Sequence, residues 1–228
     1  MKCAILQPSY LPWRGVFHEM KKVDLFIFYD DVQYDRDGWR ARNKIKSPAG
    51  SKWLTIPVNR KGHIAEKKLV NEIPISWVSD WRLSHFESIK QSYSKAPFYK
   101  KYLPMVEEIY AEKSDLLVDF TTASTERIAR EMGLSTRFMR SSSLATTGTK
   151  TERLIEILTK VGAKHYVSGP AAKAYMDENL FAEAGITFEY MHFSYPEYPQ
   201  LYPPFDPHVT ILDFLFMTGG EVPVDQQT

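Results

Sequence analysis

Only one cysteine, Cys3, occurs in 228 residues, which excludes an internal disulfide and a thiolate metal cluster within one chain. A reducing, cytoplasmic location is the expectation. Long apolar runs are also missing: the stretch from Met1 to Leu6 is interrupted by Gln7 and Pro8, too early for a signal-peptide core or a membrane span. No membrane insertion is expected. Neither sign of charge dominates, since 29 Lys+Arg meet 28 Asp+Glu for a formal +1. Without a global field to attract nucleic acid, any anion site must be local. His165, His192 and His208 lack metal-ligand spacing, so no zinc site is expected. The phosphate-binding Gly-rich loop, the dinucleotide fingerprint and the Gly-x-Ser-x-Gly elbow are all absent. With Cys3 inside a strand, covalent hydrolase chemistry is disfavoured.

What the chain does have is aromatic residues, 14% of the total, many beside Pro, Arg or Asn in the manner of pocket lining. Hydrophobic periodicity predicts a strand over 3–6, a helix over 13–23 and a strand over 25–29, together a βαβ unit. Two runs, 39–46 and 53–58, flank the turn-forming Ser47-Pro48-Ala49-Gly50-Ser51 and predict an antiparallel hairpin. Helices follow over 77–94, 99–113 and 114–132, the last closed by Gly133. The βαβ rhythm then returns: strand 136–139, helix 150–161, strand 165–167, short helix 179–184, strand 187–191 and a last helix 209–217. The expected fold is therefore α/β, one parallel sheet of Rossmann-like type with a β-hairpin. A helical insertion or cap lies at about 75–133 within a single domain over 1–228.

Parallel sheets bind ligands beyond the carboxyl ends of their strands, so the residues after each strand are the candidates. The loop after the first strand offers Gln7, Tyr10, Trp13, Arg14 and Gly15 ahead of a helix start whose free amides favour an anion. After the second strand, Asp30 and Asp31 could act as general base or hold Mg²⁺ through a phosphate, with alternation sending only one of them into a pocket. His18 is a further proton carrier. Gln33, Tyr34, Trp39, Arg42, Asn43 and Lys44 come next. Arg40, Arg42, Lys44 and Lys46 alternate so as to share one strand face, either an anion-binding row or a charged edge. Thr149 and Glu152 have capping-box spacing at the helix that carries Lys150 and Arg153. Ser168, Gly169, Tyr198 and Gln200 complete the set of candidate binding residues.

The segments Gln7-Pro8-x-Tyr10-Leu11-Pro12-Trp13-x-Gly15-x-Phe17, Tyr29-Asp30-Asp31-Val32-Gln33-Tyr34 and Trp39-x-x-Arg42-Asn43 resemble the WbqC-like family. So do Leu54-Thr55-Ile56-Pro57-Val58, Lys150-Thr151-x-Arg153-Leu154, Tyr166-x-Ser168-Gly169, Tyr198-x-Gln200 and Asp213-Phe214-Leu215-Phe216. The resemblance implies a transferase acting on an activated sugar, nucleotide or amino-acid derivative in bacterial O-antigen, surface-polysaccharide or related small-molecule biosynthesis. It implies no catalytic residue. A more distant likeness is to the nucleotidylyltransferase-like superfamily, in which Trp13-Arg14-Gly15-Val16 takes the place of a His-x-Gly-His helix start without either histidine. The expected partner is a small molecule, nucleotide-linked in one version, and not nucleic acid. The competing expectation is a non-catalytic protein that recognises a glycan precursor or a partner enzyme.

Overall fold

A computed structural model describes residues 1–59, 67–174 and 176–220. They group into two compact units, each assembled from separated stretches of chain.

The first unit takes residues 1–7, 15–31 and 134–194. Its five strands are β1 (Lys2–Leu6), β2 (Leu25–Phe28), β5 (Arg137–Arg140), β6 (His165–Ser168) and β7 (Thr187–Tyr190). All pair in parallel, in the order β5-β2-β1-β6-β7. Chain order thus runs outward from β1 to β2 and β5, then restarts on the other side of β1 with β6 and β7. That restart makes the β1/β6 boundary the topological switch point of a doubly wound, Rossmann-like sheet. The connecting helices are α1 (Arg14–Lys21), α5 (Lys150–Lys160) and α6 (Glu178–Glu183). Alternation along β1 and β2 sends Cys3, Ile5, Leu25 and Ile27 to one face, where they pack with Leu154, Ile157 and Leu158 of α5 and Phe181 of α6. The sequence-based α/β expectation and the hairpin are both present, with element ends moved by a few residues.

The second unit takes residues 8–14, 32–133 and 195–228. It contains the antiparallel pair β3 (Arg42–Ser47) and β4 (Gly50–Thr55), and helices α2 (Trp81–Tyr93), α3 (Tyr99–Ala111), α4 (Leu117–Glu131) and α7 (Ile211–Thr218). Ser47 pairs with Gly50, so the turn narrows to Pro48 and Ala49, and Gly50 takes φ +102°, which an L side chain would resist. The helices pack through Trp81, Ile89, Tyr93, Tyr102, Val106 and Phe120, all buried. Among the described residues, no helix is long and apolar enough to cross a membrane.

Two local expectations need correction. Arg40 lies outside β3, because its guanidinium turns back to the Pro8 carbonyl and the Ser9 hydroxyl. Lys46 is 1% exposed and donates its ammonium to the Pro204 carbonyl at 2.5 Å, so the four cations do not form one solvent-facing row. The Thr149–Glu152 capping box does not form either. Lys150 opens α5 at φ +48° and Thr149 makes no side-chain cap. Glu156, one turn further along, accepts from the amides of Thr147 and Gly148 instead, each at 3.0 Å.

Candidate functional site

The first unit's site is built from strand ends. Parallel pairing aligns the carboxyl ends of β5, β2, β1 and β6 side by side, so Ser141, the Tyr29–Asp31 segment, Gln7 and Gly169 follow four neighbouring strands. Four strand ends span roughly 14 Å at the usual inter-strand spacing. Ser168 is buried, and its carbonyl holds the amide of Met191 at 2.7 Å. Gly169 is different: a Cβ built there would meet nothing within 4 Å. Its backbone at the switch point is open to an approaching group.

Asp30 and Asp31 lie beyond the end of β2, so strand alternation does not separate them: the Ser141 hydroxyl reaches both carboxylates, Asp30 Oδ1 at 3.2 Å and also Asp31 Oδ1. Asp30 is 0% exposed and saturated. Its Oδ1 accepts from the Ser142 amide at 3.0 Å and its Oδ2 from the Ser142 hydroxyl at 2.8 Å, while its own amide donates to Ser141 Oγ at 3.2 Å. Asp30 therefore clamps the end of β2 to the turn after β5. The Asp31 carboxylate, whose side chain is 14% exposed, takes Arg153 Nη2 at 2.5 Å on Oδ2. On Oδ1 it takes the Ser141 hydroxyl, also at 2.5 Å. Arg153 also donates Nη1 to the Asp31 carbonyl and Nε to Thr146 Oγ1, and lies over the Tyr29 ring. This fixes the guanidinium at the sheet edge with its side chain 17% exposed. Among the described residues no group of three or more His, Cys, Asp or Glu side chains could hold a metal ion.

The remaining first-unit candidates divide by exposure. Lys150 is exposed at the start of α5, Gln7 is half-buried, and Gly15 and His18 are buried within α1. Sequence reading passed over Glu19, 2% exposed on the same helix with no hydrogen-bond partner for Oε1. Burial pushes this carboxyl from 4.5 up to about 8.

In the second unit, several expected ligand contacts are committed to the fold. Tyr10 is 0% exposed, and its hydroxyl meets His85 Nδ1 at 2.9 Å and the Tyr110 hydroxyl. Tyr10 is thus a core residue with no surface to offer a ligand. Asn43 donates its amide to the carbonyls of Tyr10 and Leu11 and accepts from the Lys44 amide, shaping the loop before α1. Lys44 pairs with Asp206 at 2.9 Å. Desolvation raises that carboxyl, but bonds from Ser51, Lys44 and the His208 amide outweigh it and hold it at about 2. Tyr198 and Gln200 both donate to Asp213, which also accepts from Tyr93. Burial nonetheless raises the Asp213 carboxyl above its ordinary range. Arg14 is 5% exposed, with its guanidinium 4.4 Å from the Tyr195 ring centroid and bonded to the Pro196 carbonyl. Desolvation lowers its pKa. Trp13 also packs on Tyr195.

Tyr34 and Arg42 do line open space. They face a cleft of about 340 Å³ together with Arg36, Asp37, Thr55, Pro57 and Ser76, and Gln33 borders the adjoining hollow. Trp39 and Trp53, both exposed, pack nearby with ring centroids 5.3 Å apart and planes tilted by 35°. Arg36 is the functional candidate that sequence reading missed here. It sits in an Asp-Arg-Asp-Gly turn, a pattern that reads only as a loop.

The model of the WbqC-like protein family matches residues 7–223. The chain belongs to the WbqC-like family. A curated protein of Mycobacterium tuberculosis (strain ATCC 25618 / H37Rv), Uncharacterized protein Rv1507c, is 37% identical over 224 residues, covering 97% of this chain and 96% of its own length. No solved structure matches the chain. Membership of the WbqC-like family fits a biosynthetic role, while neither match carries a named reaction.

Proposed function

We propose that this WbqC-like protein is a cytoplasmic group transferase that acts on an activated sugar, nucleotide or amino-acid derivative in surface-polysaccharide or related small-molecule biosynthesis. The observation that carries this reading is the Asp31–Arg153–Ser141 constellation after β2 and β5, on the same carboxyl edge of a doubly wound sheet as the open Gly169 backbone after β6. The two units are read as one functional domain, since the chain passes repeatedly from one to the other.

In this mechanism the backbone near Gly169 and the side chain of Gln7 receive the activated group. Arg153 exchanges its bond to Asp31 for one to the developing negative charge on the leaving group, which a planar guanidinium matches in two-point geometry. Release of Arg153 leaves the Asp31 carboxylate bonded to Ser141 and able to accept a proton from the incoming hydroxyl or amine. Asp30 plays no part in proton transfer and positions the Ser141-Ser142 turn. No step passes through a metal ion.

The test is a transfer assay with radiolabelled nucleotide-linked sugars and aminoacyl donors, run on the wild type, Asp31→Asn and Arg153→Gln, with circular dichroism to confirm folding. Loss of transfer in both folded variants is the expected result. Unchanged turnover in both would refute the assignment, and saturable binding with no turnover in the wild type would favour the non-catalytic reading.

A further inference from the structure

We propose that the cleft of the second unit lined by Tyr34, Arg36 and Arg42 is a binding site for a small-molecule oxyanion, phosphoryl or carboxylate. The site lies wholly within the second unit and does not depend on the transferase reading.

The cleft holds about 340 Å³, within the range of small-ligand sites. Arg42 is preorganised in it. Its guanidinium lies 4.8 Å from the Trp53 ring centroid, and Nη2 donates to the Asp37 carbonyl at 2.6 Å. Trp39 packs against Trp53 as well, which fixes the indole that supports the cation. A guanidinium clamped through one nitrogen and one face keeps its remaining donors in a set direction. Arg36 enters from the turn, which an Asx-type bond from the Asp37 amide to Asp35 Oδ1 closes at 3.0 Å. Among the described residues, no carboxylate lies within ion-pair distance of Arg36 or Arg42.

Tyr34 adds a hydroxyl at the same place. Its phenol is raised by burial and by Asp35, while Arg40, Arg36 and Arg42 all pull the other way, so positive charge converges on it. Arg40 itself is directed to Pro8 and Ser9, which leaves Arg36 and Arg42 as the pair facing the cleft. The backbone beneath is tied down. The Tyr34 amide bonds to the Lys68 carbonyl at 2.9 Å and the Ser76 amide to the Pro57 carbonyl at 2.8 Å. Asp37 lines the cleft as well, so Arg36 and Arg42 leave it with one net positive charge, which an oxyanion neutralises while taking charge-assisted hydrogen bonds.

Isothermal titration of the full chain with sodium pyrophosphate and, separately, sodium succinate tests this. Low ionic strength keeps screening small. One equivalent of at least one probe binds the wild type, and the stronger of the two tells a phosphoryl from a carboxylate ligand. Arg36→Gln and Arg42→Gln each weaken that binding about ten- to a hundredfold, the effect of losing a charge-assisted hydrogen bond. If Arg42→Gln lowers the melting temperature, the exposed Arg36→Gln variant decides alone. No binding of either probe, or equal affinity in the wild type and Arg36→Gln, overturns the proposal. A chain that binds pyrophosphate through Arg36 yet transfers no group refutes the transferase reading and leaves this site standing.

Discussion

Replacing Glu19 by glutamine removes a buried acid whose proton affinity is set almost wholly by desolvation. The side chain is 2% exposed, Oε1 has no hydrogen-bond partner, and burial moves the carboxyl from 4.5 to about 8. The folded state therefore holds this proton more tightly than the unfolded chain does. Its stability contribution is full below about pH 4.5 and declines as pH rises through about 8. At ~1.4 kcal/mol per pH unit the loss reaches roughly 5 kcal/mol across that window, an upper bound because local relaxation relieves part of it. His85 works in the opposite sense. Burial lowers it from 6.5 to about 4, so its contribution is lost as pH falls through that interval. In the wild type the two slopes oppose each other between about pH 4.5 and 6.5, and a single pH profile would hide both. The difference between wild type and Glu19→Gln cancels the His85 part. Urea unfolding of both proteins at pH 5, 7 and 9 should show the wild type losing several kcal/mol relative to the variant between the first and last values. Parallel profiles would refute the placement of Glu19 as an unpartnered buried acid.

Asp213→Ala strands the donors of Tyr93, Tyr198 and Gln200 in a buried setting. It should cost about 3–5 kcal/mol in urea unfolding, at about 1–3 kcal/mol for the buried Tyr93 hydroxyl and about 1 kcal/mol for each of the half-buried Tyr198 and Gln200. His85 should show no protonation in an NMR titration above about pH 5, because its ring is desolvated beside Tyr10. A midpoint near 6.5 would contradict that burial. Asn43→Ala releases the carbonyls of Tyr10 and Leu11, the latter held at φ +41°. A loss of about 2–3 kcal/mol by thermal unfolding is expected from the two broken bonds and the strained residue.

Much of the fold was legible because periodicity is a local property. The runs at 3–6, 25–29 and 165–167 became β1, β2 and β6, and the helices and hairpin fell within a few residues of their expected ends. Glu19 was legible too, and was missed: it stands three residues after Val16 and four before Val23, on the face that α1 buries. The hydrogen-bond partners were not legible. Asp30 and Asp31 are adjacent and chemically identical, yet Ser142 saturates one and Arg153 holds the other at the sheet edge. These partners arrive from more than a hundred residues away. Tyr10 and Trp39 looked equally suited to line a pocket, and the tertiary structure made one fully buried and left the other exposed.

By itself, then, the sequence determined the α/β alternation, the hairpin, the family, and the principle that ligand chemistry belongs after the strands, since side-chain periodicity and turn propensity act over a few residues. Only the tertiary structure decided which of the polar residues crowding the loops after β1 and β2 are spent on holding the fold and which still face open space. Burial and partner choice depend on chain segments that the sequence separates and folding brings together.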